Sequence, residues 1–279
     1  MYRSPYFINQ PCYLMCPPFT TRNETINNPW MAKFHEGYNY PKAFEQFLNL
    51  YKELSKSGFV YLLTHEGNFQ DITFVSNSAL ILAHTPNVAL MANFTSLPRL
   101  GEEIVAKKFL TSLGYETVSV PNKWEGNADL KHLRDNIYIG GVGIRSTIDA
   151  FNWMSIHYNM RVIDVEIKDP YLYHLDCSIM PLNSSTLLVV TSNFTAKDLQ
   201  KLENIATVID VPAKWAREGW TNGIKIGNTI IQDDLRGNQR KDYVGLLEWL
   251  GFEVKFIDTS EFLKSGASPS CMVLPLNYA

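Results

Sequence analysis

Apolar residues gather in short stretches along the chain, each about as long as a strand. They fall at 60–63, 79–83, 88–91, 117–120, 136–139, 162–165, 186–190, 207–211, 223–231 and 253–257. Each is rich in Val and Ile and is bounded by Gly, Pro, Asn or Asp, which predicts a strand. Between some of them the spacing changes to a helical one. Over 41–56 the apolar positions are Phe44, Phe47, Leu48, Leu50, Tyr51 and Leu54, roughly one face of a helix. Pro41 suits the first turn of that helix and Gly58 its stop. Further helices are predicted at 102–113, 147–158, 195–205 and 242–250. Helix, Gly, strand recurs at Leu113-Gly114 and at Leu250-Gly251, a repeated β/α unit too irregular for a solenoid. No GxGxxG opens a helix after the first strand, so a dinucleotide fold is not expected, and Gly140-Gly-Val-Gly143 is read as a turn.

Composition narrows the class. The 279 residues are 46% hydrophobic with a formal net charge of -3, and the basic residues are scattered. Neither a nucleic-acid partner nor an anionic membrane surface is expected. No run of 18 apolar residues occurs, so no transmembrane helix is predicted. The start of the chain lacks the pattern of a signal peptide. The four cysteines, Cys12, Cys16, Cys177 and Cys271, are too few and too dispersed for a disulfide scaffold. The expectation is a cytoplasmic protein with reduced thiols, no metal and no cofactor. Homo-oligomerisation is left open.

Four polar clusters interrupt the apolar pattern. They are Asp71 to Asn77, Glu125-Gly-Asn-Ala-Asp129, His174-Leu-Asp176, and Ser265-Gly-Ala-Ser-Pro-Ser-Cys271. The period of two in His174-Leu-Asp176 predicts both side chains on one face of a strand. A thiol in a Gly/Ser/Pro loop is predicted to be more exposed than a core Cys, a precondition for reactivity. Each cluster alone is more often structural: a single Cys is commonly a small buried hydrophobe, and an Asp in a Gly/Asn segment commonly closes an Asx-turn.

Taken in order, these clusters resemble the guanidino-group-modifying superfamily of amidinotransferases, arginine deiminases, dimethylarginine dimethylaminohydrolases and arginine dihydrolases. The resemblance runs from Leu14 to Leu276. Leu14-Met-Cys-Pro-Pro18 with Asn28-Pro-Trp-Met31 resembles the opening of the arginine dihydrolase branch. Asp71 to Asn77 resembles a family strand ending in Thr-Ala-Asn or Thr-Arg-Asp. Arg99 with Glu102 or Glu103 resembles Arg-x-x-Glu, Glu125 to Asp129 resembles Glu-Gly-x-Gly-Asp, and Gly143-Ile-Arg145 resembles Gly-x-Arg. His174 and Asp176 resemble His-x-Asp, and Cys271 stands at the nucleophile position. Two departures are Gly266-Ala267 in place of paired glycines and Ala128 in place of a usual Gly.

The resemblance implies an α/β fold, a pseudo-fivefold α/β-propeller of ββαβ units. It is expected as a single domain over 1–279, with 1–13 as an N-terminal extension and without the long C-terminal ornithine-processing region of two-domain cyanobacterial relatives. It implies a hydrolase acting on the guanidinium carbon of arginine through a covalent thiouronium on Cys271. His174 would be the general acid and base, and Glu125 would pair with substrate nitrogens and hold His174. Asn28, Asp71, Asn77, Arg99, Arg145 and Asp176 would bind substrate. An Arg grips an α-carboxylate with its fork. Asn77, where deiminases tend to have Asp, both accepts and donates, which favours two consecutive hydrolyses to ornithine. Other readings are a one-step arginine deiminase or dimethylarginine dimethylaminohydrolase, an amidinotransferase, and a non-catalytic arginine sensor.

Overall fold

A computed structural model describes residues 4–34, 37–64, 67–234 and 239–279, and among these the strands pair into five three-stranded sheets. The sheets repeat one plan. In the second, β3 (Ala79–Ile81) pairs antiparallel with β4 (Val88–Met91), and β4 pairs parallel with β5 (Glu116–Ser119). The third holds β6 (Leu130–Arg134), β7 (Ile137–Gly143) and β8 (Arg161–Ile167) in the same arrangement. The fourth holds β9 (Ile179–Asn183), β10 (Thr186–Val189) and β11 (Thr207–Asp210). The fifth holds β12 (Ile224–Ile226), β13 (Thr229–Asp233) and β14 (Glu253–Ile257).

The first sheet joins the two ends of the chain. There β1 (Cys12–Met15) lies parallel to β2 (Phe59–Leu62) and antiparallel to β15 (Leu274–Pro275). Asn277 adds to the closure, its Nδ2 donating to the carbonyls of Pro5, Ile8 and Gln10. Of the 1–13 segment, residues 1–3 lie outside the described residues. The result is a pseudo-fivefold α/β-propeller with each sheet as one blade.

In each blade a helix links the parallel pair, as a parallel crossover requires. These helices are α1 (Tyr40–Ser55), α2 (Glu102–Ser112), α3 (Ile148–Tyr158), α4 (Ala196–Glu203) and α5 (Gln239–Trp249). For α1, the Asn39 side chain accepts the Lys42 amide at the N-terminus, and Ala43, Gln46, Phe47, Leu50 and Leu54 form its buried face. The central strands are buried almost end to end, as in β1 and β4, whereas β5 and β11 are exposed at both ends. That is the pattern of a strand covered on both faces beside one at a blade's rim.

The expected helices and strands stand within about three residues of their expected positions, β1, β6, β9 and β15 are not among those expected, and two readings need correction. The apolar run 223–231 is two strands turned back on one another through Gly227, because Ile224 pairs with Ile231. Gly140-Gly-Val-Gly143 is not a turn. It lies inside β7, where side chains of Phe151 and Val162 crowd Gly140, and Ile167 and Leu175 crowd Gly141.

One further regularity positions the site. Each blade's first strand is entered through a short polar segment: Val75–Ser78 before β3, Gly126–Asp129 before β6, Leu175–Cys177 before β9, residues 220–222 before β12, and Pro269–Met272 before β15. The turn at Val75–Ser78 packs on those at Gly126–Asp129 and Pro269–Met272, and Gly126–Asp129 packs on Leu175–Cys177.

Candidate active site

The entry turns explain how residues nearly 200 positions apart come together. Three expectations about local structure change here. His174 and Asp176 are not on a strand face: His174 precedes a single 3₁₀ turn and Asp176 is inside it. Asp71 to Asn77 is likewise a turn leading into a 3₁₀ segment rather than a strand. Cys271 is not exposed; it lies in the 3₁₀ turn Pro269–Met272 with 4% of its surface accessible. Gly and Pro around it shape a tight buried turn rather than a loose loop.

His174 and Glu125 form the first pair. Glu125 Oε2 lies 2.8 Å from His174 Nε2. The same carboxylate accepts from Arg145 Nη1 at 3.3 and 3.4 Å and from the backbone amides of Thr95 and Ser96. Burial alone would raise the Glu125 carboxyl, but the His174 hydrogen bond and the Arg145 charge outweigh it and bring it down to about 2. Asn77 Nδ2 lies 3.3 and 3.4 Å from the two ring nitrogens of His174. Asp129 supports the same turn, accepting the Leu175 amide and the Ser146 hydroxyl. Burial pushes its carboxyl up to about 6.

Cys271 and Asp176 form the second pair. Cys271 Sγ is 4.0 Å from Asp176 Oδ2 and 3.4 Å from Asn222 Oδ1. Burial, and then the Asp176 charge, push the thiol up to about 12, so in the free protein it holds its proton at neutral pH. Asp176 Oδ2 also accepts from Ser270 Oγ at 3.2 Å and faces Lys131 Nζ at 3.7 Å.

The remaining candidates line a narrow cavity bounded by Asn27, Asn28, Met31, Asp71, Phe74, Arg99, Arg145, Tyr173, His174 and Ser265. Its free volume is ≈ 10 Å³, about one water's worth, so an amino-acid ligand requires these side chains to move. Asn28 caps the short helix Pro29–Lys33 through Oδ1, which turns its Nδ2 towards Tyr173 Oη and the Ser265 carbonyl. Asp71 accepts from Asn27 and Gln70 through Oδ2, while its Oδ1 is buried without a partner. Arg145 stacks over Tyr173 at 4.8 Å and donates to the Asn27 carbonyl. Arg99 is placed differently from Arg145. Its Nε and Nη2 bind Glu102 at 2.9 and 2.7 Å, and Nη2 also reaches the Asp71 and Phe74 carbonyls, so it braces the cavity wall.

Asn222, Lys131, Asp129, Tyr173 and Asn27 were not among the sequence candidates. Asp129 had a signal as the last residue of the Glu125-Gly-Asn-Ala-Asp129 motif, and Asn222 had one in standing two residues before a strand, as other entry-turn residues do. A larger cavity, ≈ 330 Å³ and walled partly by Lys131 and Ser270, shares no lining residue with the narrow one. His174 lines the narrow cavity, whereas Cys271 and Asp176 line neither, and Asp176 meets the Lys131 and Ser270 side chains of the larger one.

No family model matches the chain. It is 27% identical over 268 residues, 94% of its length, to the bifunctional arginine dihydrolase/ornithine cyclodeaminase AgrE of Nostoc, and spans 37% of that protein. It is 26% identical to the dimethylarginine dimethylaminohydrolase of Mycobacterium tuberculosis, over 95% of this chain and 85% of that one. Among solved structures, the N-terminal domain of ArgZ bound to product, an arginine dihydrolase of cyanobacteria, superposes with a TM-score of 0.90 at 25% identity, covering 96% of this chain and 98% of that one.

Proposed function

The chain belongs to the guanidino-group-modifying superfamily, and from that premise we propose that it hydrolyses arginine at the guanidinium carbon, twice in succession, as an arginine dihydrolase. The observation that carries this reading is the pairing of a buried thiol beside Asp176 with a His174–Glu125 couple that has the Asn77 amide against its ring. The five blades together act as one catalytic domain over 1–279, with arginine as its small-molecule substrate.

A guanidinium carbon resists attack because its charge is delocalised. Asp176 and Glu125 are two carboxylates able to hold its nitrogens by charge-assisted hydrogen bonds. The same cation, once bound, offsets the Asp176 charge that opposes ionisation of Cys271. The thiolate then adds to the carbon. His174 hands a proton to the departing nitrogen, ammonia leaves, and a thiouronium remains on sulfur. His174 next takes a proton from water as the water adds to that carbon, and the C–S bond breaks to give citrulline. Glu125, pinned by the backbone amides of Thr95 and Ser96, fixes the imidazole for both transfers.

The second round needs a site that tolerates a neutral ureido group. An Asp at position 77 only accepts hydrogen bonds and would face the new carbonyl oxygen with like polarity. The Asn77 amide donates to that oxygen. Attack on the ureido carbon then gives ornithine, carbon dioxide and a second ammonia. A time course of the purified protein with arginine tests this. Ornithine with two ammonia per arginine is expected, and Cys271→Ser abolishes turnover. Citrulline accumulating without ornithine would leave the one-step deiminase reading, and binding without turnover the sensor reading.

A further inference from the structure

Ionising Cys271 places a thiolate beside the Asp176 carboxylate in a turn with little access to water. Two buried anions 4.0 Å apart repel strongly. Of the groups around the sulfur, Asp176 and Cys177 bring negative charge or none, Tyr173 and His174 precede them on the same turn, and Ser268 and Ser270 flank the thiol on its own turn. Two side chains from other blades oppose the repulsion. Lys131, on β6, has its ammonium 3.7 Å from Asp176 Oδ2 and 3.2 Å from Ser270 Oγ. It is the cation paired with Asp176 among the described residues. Asn222, in the entry turn to β12, meets the sulfur at 3.4 Å, and its Nδ2 is buried without a partner.

We propose that Lys131 and Asn222 form a cradle that holds the Cys271 thiolate, with Lys131 as a positioning residue acting through Asp176 and Ser270. Lys131 reaches this point from the larger cavity, which it lines with Ser270 and which leaves its side chain 13% exposed. The ammonium therefore keeps some contact with water while it neutralises a carboxylate that has almost none. Asn222 serves both states of the sulfur. In the resting protein its Oδ1 accepts the S–H. After ionisation, half a turn of the amide presents the unpartnered Nδ2 to S⁻ as a donor, a change Asp or Leu cannot make. No bond to carbon forms or breaks in this step; the S–H bond breaks and its proton passes to solvent, which reaches the Lys131 side of the turn through the larger cavity.

The inference rests on the thiolate reading of Cys271 but not on turnover, so it is tested without substrate. Alkylation of the full-length protein with iodoacetamide is followed on the Cys271-bearing peptide by mass spectrometry between pH 7 and 9. Lys131→Met and Asn222→Leu each lower the rate about tenfold across the range, with the same rise per pH unit, as a one-unit upward shift of the thiol requires. Lys131→Arg recovers most of the rate. Where Lys131→Met does not fold, Lys131→Gln reads the same quantity. A merely structural role loosens the packed turn and speeds alkylation instead. Rates equal to or above wild type in a folded Lys131 variant overturn the proposal. Arginine turnover by the wild type is scored separately, so its failure would sink the dihydrolase reading while leaving the cradle standing.

Discussion

Gly126 lies against Asn77 so closely that a methyl group on it would come within 2.4 Å of the Asn77 carbonyl oxygen. Its φ of +61 is also one that residues with a side chain adopt rarely. The two entry turns carrying Glu125 and Asn77 are therefore in backbone contact, and the glycine is what allows it. Gly126→Ala is expected to destabilise the fold by about 2–4 kcal/mol, combining backbone strain with overpacking. Urea unfolding measures this. Because the clash is with the backbone of Ser76 and Asn77, which cannot rotate away, the turns must separate, so kcat also falls at temperatures where the variant remains folded.

Asn77→Asp tests the two-step chemistry directly. The substitution is isosteric, so the fold is expected to hold, but a carboxylate replaces an amide able to donate to a ureido oxygen. Product analysis should show citrulline accumulating while ornithine formation falls by at least about tenfold, the scale of one lost hydrogen bond to a buried polar group. An unchanged ratio of ornithine to citrulline would remove Asn77 from the account.

The central strands β4, β7 and β10 were legible because burial on both faces makes them apolar runs, whereas β1 was missed and the five-bladed closure followed only from the family resemblance. Gly140-Gly-Val-Gly143 was misread for the opposite reason: tight packing by Phe151, Ile167 and Leu175 excludes side chains there, and the missing bulk resembles a turn. Among the site residues, Cys271, His174 and Glu125 stood out through their motifs, yet their local setting did not. His-x-Asp has the period of a strand and folds as a 3₁₀ turn, because the side chains converge at an entry turn rather than along a sheet face. Lys131 was not legible at all. It falls in no expected element, and its meaning depends on Ser270 and Asp176, 139 and 45 positions away, which only the closure of the propeller brings near it.

Glu125 links the site to acid stability. Its folded carboxyl, at about 2, lies below the ordinary 4.5, so the stability it contributes is fully present above pH 4.5 and is lost as pH falls towards 2. Asp129 has the opposite sign: raised to about 6, its contribution is present below the ordinary 3.8 and lost as pH rises through 6. Glu125→Gln mimics the protonated carboxyl and leaves Arg145 buried with a weaker partner. It is expected to cost about 3 kcal/mol at pH 7, with the gap to wild type closing as pH drops from 4.5 towards 2. Chemical denaturation at a series of pH values checks it; a gap independent of pH would mean that Glu125 is not ionised in the folded protein.

Arg145 presents a competition for the same carboxylate. In the free protein its guanidinium lies on Glu125 at 3.3 Å, where the substrate guanidinium is expected to bind. When substrate takes over Glu125, the Arg145 fork is released while still stacked on Tyr173, and it becomes available to the α-carboxylate. On the proposed function, two cations would thus exchange anions on binding, with no net charge left unpaired. A Lys at 145 can neutralise Glu125 but cannot form the bidentate grip. Arg145→Lys should therefore raise KM for arginine by about tenfold and leave KM for agmatine, which has no carboxylate, nearly unchanged. Steady-state kinetics on the two substrates separate the roles: equal losses on both would confine Arg145 to holding Glu125, and the carboxylate grip would have to come from elsewhere.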